Sequence, residues 1–156
     1  MGQSDVQPTH TLGFLLGKSL NQVLQQFLKR HVLPMTLAIL LVDDNPDACA
    51  TAAKLLWAWG YQADVAEDGP TALKLIDHNS YGLVIIDYQM PGMNGVELFR
   101  KMREIRPEIT GIFLTGYTTI DVVYPAIQSG ILRVLPKPVD FKELMPILEQ
   151  YAGAPA

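Results

Sequence analysis

LVIIDYQMPGMNG, residues 83–95, decides the fold. Its first half, Leu83–Asp87, is an unbroken apolar run closed by a carboxylate, the pattern of a strand covered on both faces. Its last two residues, Asn94-Gly95, start a helix expected to reach about Ile105. The same alternation continues in both directions. Upstream, Leu37–Val42 is a second continuous apolar run; Asn45 suits a helix cap, Pro46 its first position and Gly60 its end. Gln62–Ala66 predicts a short strand, and Gly69-Pro70 opens a helix reaching about Asp77. Downstream, Ile109–Thr115 predicts a strand, Thr118–Ser129 a helix in spite of Pro125, and Ile131–Leu135 a strand. Asp140 caps a last helix, which has to tolerate Pro146. Strands alternating with helices of about ten to fifteen residues form βαβ units and a parallel sheet, an α/β architecture.

Composition narrows the function classes. The chain of 156 residues is one ordinary domain with about thirty residues to spare. Hydrophobic residues make up 49% and charged residues 18%, which excludes disorder as the dominant state. Twelve Lys and Arg against sixteen Asp and Glu give a net charge of -4. A mildly acidic domain without a basic patch does not track a phosphate backbone, so no direct nucleic-acid partner is expected. No apolar run is long enough to span a bilayer. Asp5, with no Lys or Arg before Leu12–Leu16, does not make a secretory leader. A cytoplasmic setting without membrane association is expected. Cys49, the single cysteine, cannot form an internal disulfide, and no Cys/His cluster has metal-ligand spacing.

In a parallel α/β sheet, ligands bind outside the carboxyl ends of the strands. Those ends are Asp43-Asp44 after the first strand, Asp87 after the third, Thr115-Gly116 after the fourth and Lys137 after the fifth. Three carboxylates, a hydroxyl and an ammonium group therefore converge on one edge. Packed carboxylates repel, and each tends to hold a proton. A hard divalent cation removes that penalty; Mg²⁺ takes oxygen ligands and accepts phosphate oxygens. One carboxylate then acts as nucleophile toward phosphorus, giving an aspartyl phosphate. Lys137 neutralises a phosphoryl oxygen as a point charge, and Thr115 donates a hydrogen bond to another.

With these residues in view, Met35–Tyr151 resembles the receiver domain of the bacterial two-component response regulators. The matching pieces are ILLVDDN at 39–45, VIIDYQMPGMNG at 84–95, FLTG at 113–116 and LPKP at 135–138. DYQMPGMNG is highly specific, and the others fall in family order. The resemblance implies a flavodoxin-like, doubly wound, five-stranded sheet in order 2-1-3-4-5. It implies that Asp87 is the phosphoacceptor, and that Asp43, Asp44, Asp87 and the backbone carbonyl of Gln89 bind Mg²⁺. Thr115 is implied as the switch hydroxyl and Lys137 as the family lysine, with a cis bond to Pro138. Backbone N–H groups of Tyr88 and Gly116 are implied as phosphoryl donors. The resemblance also implies that a histidine kinase or histidine phosphotransfer protein supplies the phosphoryl group and that an unknown downstream protein reads the result.

One departure stands out. The family's strand-five aromatic, three residues before the lysine, is Val134 here, so the usual inward turn of a ring is unavailable. Tyr117 and Tyr124 lie nearby in sequence. Gln89 and Tyr117 occupy the positions at which the family tunes autodephosphorylation, and a bulky Tyr117 predicts a long-lived phosphoryl state.

The first 34 residues differ in pattern and carry a balance of +2 against -6 for the rest. Leu16, Leu20, Val23, Leu24, Phe27 and Leu28 share one side of a helix, and Lys18, Gln22, Gln25, Gln26, Lys29 and Arg30 the other. Such a helix packs on its own domain, pairs with a copy in a homodimer, docks a partner or lies on a membrane. Met35 is also a candidate natural start. Residues 1–34 are read as an extension and 35–152 as the receiver domain, leaving no room for an output domain. Gly13–Ser19 is one residue short of a phosphate-binding loop and lacks a preceding strand. His10, His31 and His78 are read as surface residues, Cys49 as a buried small hydrophobe, and at least one of Trp57 and Trp59 as packing on the sheet.

Two other functions compete with the phosphoacceptor switch, which is not a turnover enzyme. An Asp-nucleophile hydrolase of the haloacid dehalogenase type needs a second Asp at position 89, which is Gln. A phosphorylation-independent binding module that keeps the fold has only Val134 in its favour.

Overall fold

A computed structural model of the protein describes residues 37–153. The amphipathic segment, His10 and His31 lie outside them. Among the described residues the chain runs β1 (Ala38–Val42), α1 (Pro46–Ala58), β2 (Ala63–Ala66), α2 (Gly69–His78), β3 (Tyr81–Asp87), α3 (Gly95–Ile105), β4 (Gly111–Thr115), α4 (Ile120–Gln128), β5 (Arg133–Pro136) and α5 (Phe141–Tyr151). The five strands form one parallel sheet in order β2-β1-β3-β4-β5, as the resemblance implies.

Side chains alternate along the buried strands and divide the core in two. Leu40, Val42, Val84, Ile86 and Phe113 pack against Ile76 of α2 and Leu98, Phe99 and Met102 of α3. Ile39, Leu41, Leu83, Ile85 and Ile112 pack against Leu56 of α1 and Leu144, Ile147 and Leu148 of α5. Helices on both faces explain why the central strands read as unbroken apolar runs.

The element ends differ from the sequence reading in instructive ways. β3 starts at Tyr81, because Tyr81 pairs with Ala38 and its hydroxyl donates to Asp64 Oδ2 at 2.7 Å. β4 starts at Gly111 rather than Ile109, whose N–H closes a turn onto Arg106 at 3.0 Å. α4 starts at Ile120, with Thr119 extended at the cap position. β5 is shifted to Arg133–Pro136. The helices α4 and α5 continue through Pro125 and Pro146. Gly60 adopts a φ of 83°, the left-handed conformation a helix end favours. His78 is the last residue of α2 rather than beyond it. Trp57 is 77% exposed, while Trp59 packs on the second core and meets Phe141 edge-on at 4.6 Å.

Tyr61 is fully buried, yet its hydroxyl finds no hydrogen-bond partner among the described residues. An unpaired buried hydroxyl costs about 1–3 kcal/mol. Tyr61→Phe is therefore expected to preserve the fold and raise stability by about 1 kcal/mol. Thermal melting checks this; a lower melting temperature than the parent contradicts it.

Candidate functional site

The site is built at the carboxyl ends of the paired strands β1 and β3, where the chain leaves them for helices on opposite faces of the sheet, the position at which this topology opens a crevice. The Asp43 N–H still bonds the Ala66 carbonyl of β2 at 3.2 Å, so this residue is held as a continuation of the ladder. The Asn45 N–H donates to Asp43 Oδ1 at 2.9 Å. The Asn45 side chain accepts from the N–H groups of Asp47 and Ala48, capping α1. One residue thus orients an acid and starts a helix.

Asp87 ends β3 and is only 8% exposed. The loop after it folds back tightly: the Gly95 N–H donates to the Tyr88 carbonyl at 3.1 Å. A Cβ at Gly95 would lie 3.2 Å from both Phe113 and the Tyr88 backbone, which is why a glycine opens α3 here. Asp43, Asp44 and Asp87 each offer a carboxylate oxygen, all within 4.8 Å of one another. The Lys137 ammonium lies 3.2 Å from Asp43 Oδ2 and 3.2 Å from Asp87 Oδ1. The Lys137 backbone N–H donates to the Thr115 carbonyl at 2.8 Å, and the Lys137–Pro138 peptide is cis.

Burial pushes the Asp87 carboxyl above its ordinary value; the Lys137 charge pulls it down and the Asp43 charge pushes it up again. Burial works against the Lys137 ammonium, but Asp87 and Asp43 outweigh it and hold its pKa above the usual value. Three carboxylates facing one ammonium leave an excess of negative charge. An all-oxygen donor set of this kind fits a hard divalent cation.

Thr115 is fully buried. Its hydroxyl donates to the Tyr117 carbonyl at 3.0 Å and accepts from the Tyr117 N–H at 3.1 Å. Gly116 is exposed, with open space where a Cβ would stand. The Tyr88 N–H departs from expectation. It is engaged by the Leu114 carbonyl at 2.9 Å, because the β3–β4 ladder runs one residue past Asp87. The amide that faces the acid is that of Gln89, which donates to Asp87 Oδ1 at 3.3 Å. Val134 is half-buried against the first core, while the Tyr117 and Tyr124 rings are 62% and 58% exposed. His78 is exposed, its Nδ1 lying 2.8 Å from the Lys74 carbonyl and 4.0 Å from Asp77. Cys49 is 2% exposed, and burial together with nearby Asp43 raises its thiol pKa.

Comparison with known proteins gives a consistent picture. The family model described as the response regulator receiver domain matches residues 39–149. The transcriptional regulatory protein ZraR of Klebsiella oxytoca is 34% identical over 72% of this chain and 25% of its own length. A response regulator receiver protein of Anaeromyxobacter sp. (strain Fw109-5) is 36% identical over 64% of this chain and 42% of its own. The signal receiver domain of an HD domain-containing protein from Pseudomonas fluorescens Pf-5 superposes with a TM-score of 0.69 at 34% identity, covering 74% of this chain and 93% of that one. The chain spans about a quarter of the length of the ZraR proteins it matches.

Proposed function

The chain belongs to the response regulator receiver domain family, and from that premise we propose that it is a phosphoacceptor switch whose Asp87 takes a phosphoryl group from a histidine kinase or a histidine phosphotransfer protein. The observation that carries the reading is the oxygen-only trio of Asp43, Asp44 and Asp87, with the Lys137 ammonium 3.2 Å from two of its members. Asp43, Asp44, Asp87 and the Gln89 backbone carbonyl would hold Mg²⁺, which would supply the charge neutralisation that lets an anionic donor approach. An Asp87 oxygen attacks phosphorus, the P–N bond to the donor imidazole breaks, and its electron pair leaves with the imidazole. Lys137 holds one phosphoryl oxygen. The Thr115 hydroxyl exchanges the Tyr117 carbonyl for another, and the Gly116 N–H assists. On the β3 side the donor is assigned to Gln89, since the Tyr88 N–H is engaged within the sheet.

The module is a switch rather than a turnover enzyme, and its proposed setting is the cytoplasm. No helix among the described residues is long and apolar enough to cross a membrane. Phosphorylation biases two pre-existing surface states. Withdrawal of the Thr115 hydroxyl frees the Tyr117 backbone, and with Val134 in place of a ring this loop carries the change into α4. Ile120, Tyr124 and Ile127 of α4 are 72%, 58% and 62% exposed on one helical stripe, and this face is the proposed docking site for the downstream protein.

Beryllofluoride with millimolar Mg²⁺ tests the reading. Saturable binding that needs both components and perturbs Thr115–Tyr124 is expected. No response favours the phosphorylation-independent binding module. A bulky Tyr117 two residues after Thr115 is proposed to crowd the path of the hydrolytic water, so the phosphoryl group on Asp87 is expected to persist for minutes or longer. Tyr117→Ala should shorten its lifetime about tenfold, roughly 1.4 kcal/mol of barrier. A parent half-life of seconds contradicts this.

A further inference from the structure

Asp43 is held at every polar group it has. Its N–H is bound by the Ala66 carbonyl, Oδ1 by the Asn45 N–H and Oδ2 by Lys137. Its backbone carbonyl accepts from the Cys49 thiol, 3.3 Å away. The first three contacts come from the ladder, a neighbouring amide and the site lysine. The fourth depends on one side chain in the first turn of α1. A cavity of about 30 Å³, room for about one water, adjoins that thiol and is bounded also by Asp43, Asp87, Ala52 and Ile85.

We propose that Cys49 is a positioning residue for the Asp43–Asp44 pair: its thiol, donating to the Asp43 carbonyl, fixes the turn from β1 into α1 and thereby sets the affinity of the acidic site for a divalent cation. The inference rests on the metal-binding reading of that site. The peptide between Asp43 and Asp44 determines where both carboxylates point. Losing the donor to its carbonyl lets that peptide rotate and admits a water beneath the acids. Groups that orient metal ligands without touching the metal control affinity strongly. A protonated thiol is a weak donor, so the effect is smaller than for a charged partner.

Three full-chain variants separate the donor from the volume. Cys49→Val fills the thiol's space, its extra methyl having the neighbouring cavity to enter, but removes the donor. Cys49→Ser keeps a donor, and Cys49→Ala removes both. Mg²⁺ titrations read by amide NMR shifts are expected to show affinity weakened about three- to tenfold in Cys49→Val and Cys49→Ala, and held within about twofold in Cys49→Ser. The metal-free melting temperature of Cys49→Val should stay near that of the parent. Parent-like Mg²⁺ affinity in Cys49→Val overturns the proposal and leaves the thiol as packing alone. A second measurement reads the same linkage: saturating Mg²⁺ should raise the melting temperature of the parent chain more than that of Cys49→Val, and an equal rise overturns the proposal. A parent chain with no NMR response to millimolar Mg²⁺ fails at the earlier step and overturns the metal-binding reading itself.

Discussion

Asp87→Asn is expected to abolish phosphoryl uptake from acetyl phosphate and Mg²⁺ while raising the melting temperature of the metal-free protein. The two effects have one origin. The Asp87 carboxyl is almost fully buried, shares its pocket with Asp43, and is pushed above its ordinary pKa by that burial. A carboxylate whose folded-state pKa is raised costs the fold stability as the pH climbs above its unfolded value. An amide removes that charge, keeps one oxygen for Lys137, and offers no nucleophile. The gain in stability is of order 1 kcal/mol. Intact-protein mass spectrometry checks uptake, and calorimetry in chelator checks stability. Uptake equal to the parent's puts the acceptor elsewhere; a lower melting temperature means that the Asp87 charge is better compensated than its surroundings indicate.

The largest loss of stability is expected for Phe113→Ala. Phe113 is fully buried at the centre of β4 and meets Tyr88 and Phe99 edge-on, with ring centroids 5.6 and 6.2 Å away. It also closes against Gly95, which positions the start of α3. Truncation removes both aromatic pairs and leaves a cavity that a parallel sheet, pinned by its ladders, cannot close. The cost is about 3–5 kcal/mol, a large part of the roughly 5–15 kcal/mol that holds an ordinary domain together. Urea unfolding measures it. A loss below about 1.5 kcal/mol would mean that the neighbouring side chains collapse into the space.

The residues that converge were legible from sequence because a parallel α/β sheet carries all its strand ends to one edge. Asp43, Asp44, Asp87, Thr115 and Lys137 each follow an apolar run, and that alone places them together. The strand order and the family followed from DYQMPGMNG and its companions. What was illegible depends on hydrogen bonds between distant segments. The Tyr88 N–H looked free because nothing local shows that the β3–β4 ladder extends past Asp87 to Leu114. Ile109 looked like strand because it is apolar, but its N–H serves a turn onto Arg106. Tyr81 looked like a connector, since only the folded sheet brings its hydroxyl to Asp64, seventeen positions away. Cys49 reads correctly as buried, yet its contact with the Asp43 carbonyl appears only once α1 is seated on the sheet.

The central claim is that one carboxylate, at position 87, accepts phosphorus. An acyl phosphate is reduced by borohydride to the alcohol, which marks the acceptor covalently. The full chain, treated with acetyl phosphate and Mg²⁺ and then with borohydride, should yield homoserine at position 87 and at no other aspartate. Homoserine at position 43 or 44, or none anywhere in a folded chain, contradicts the account.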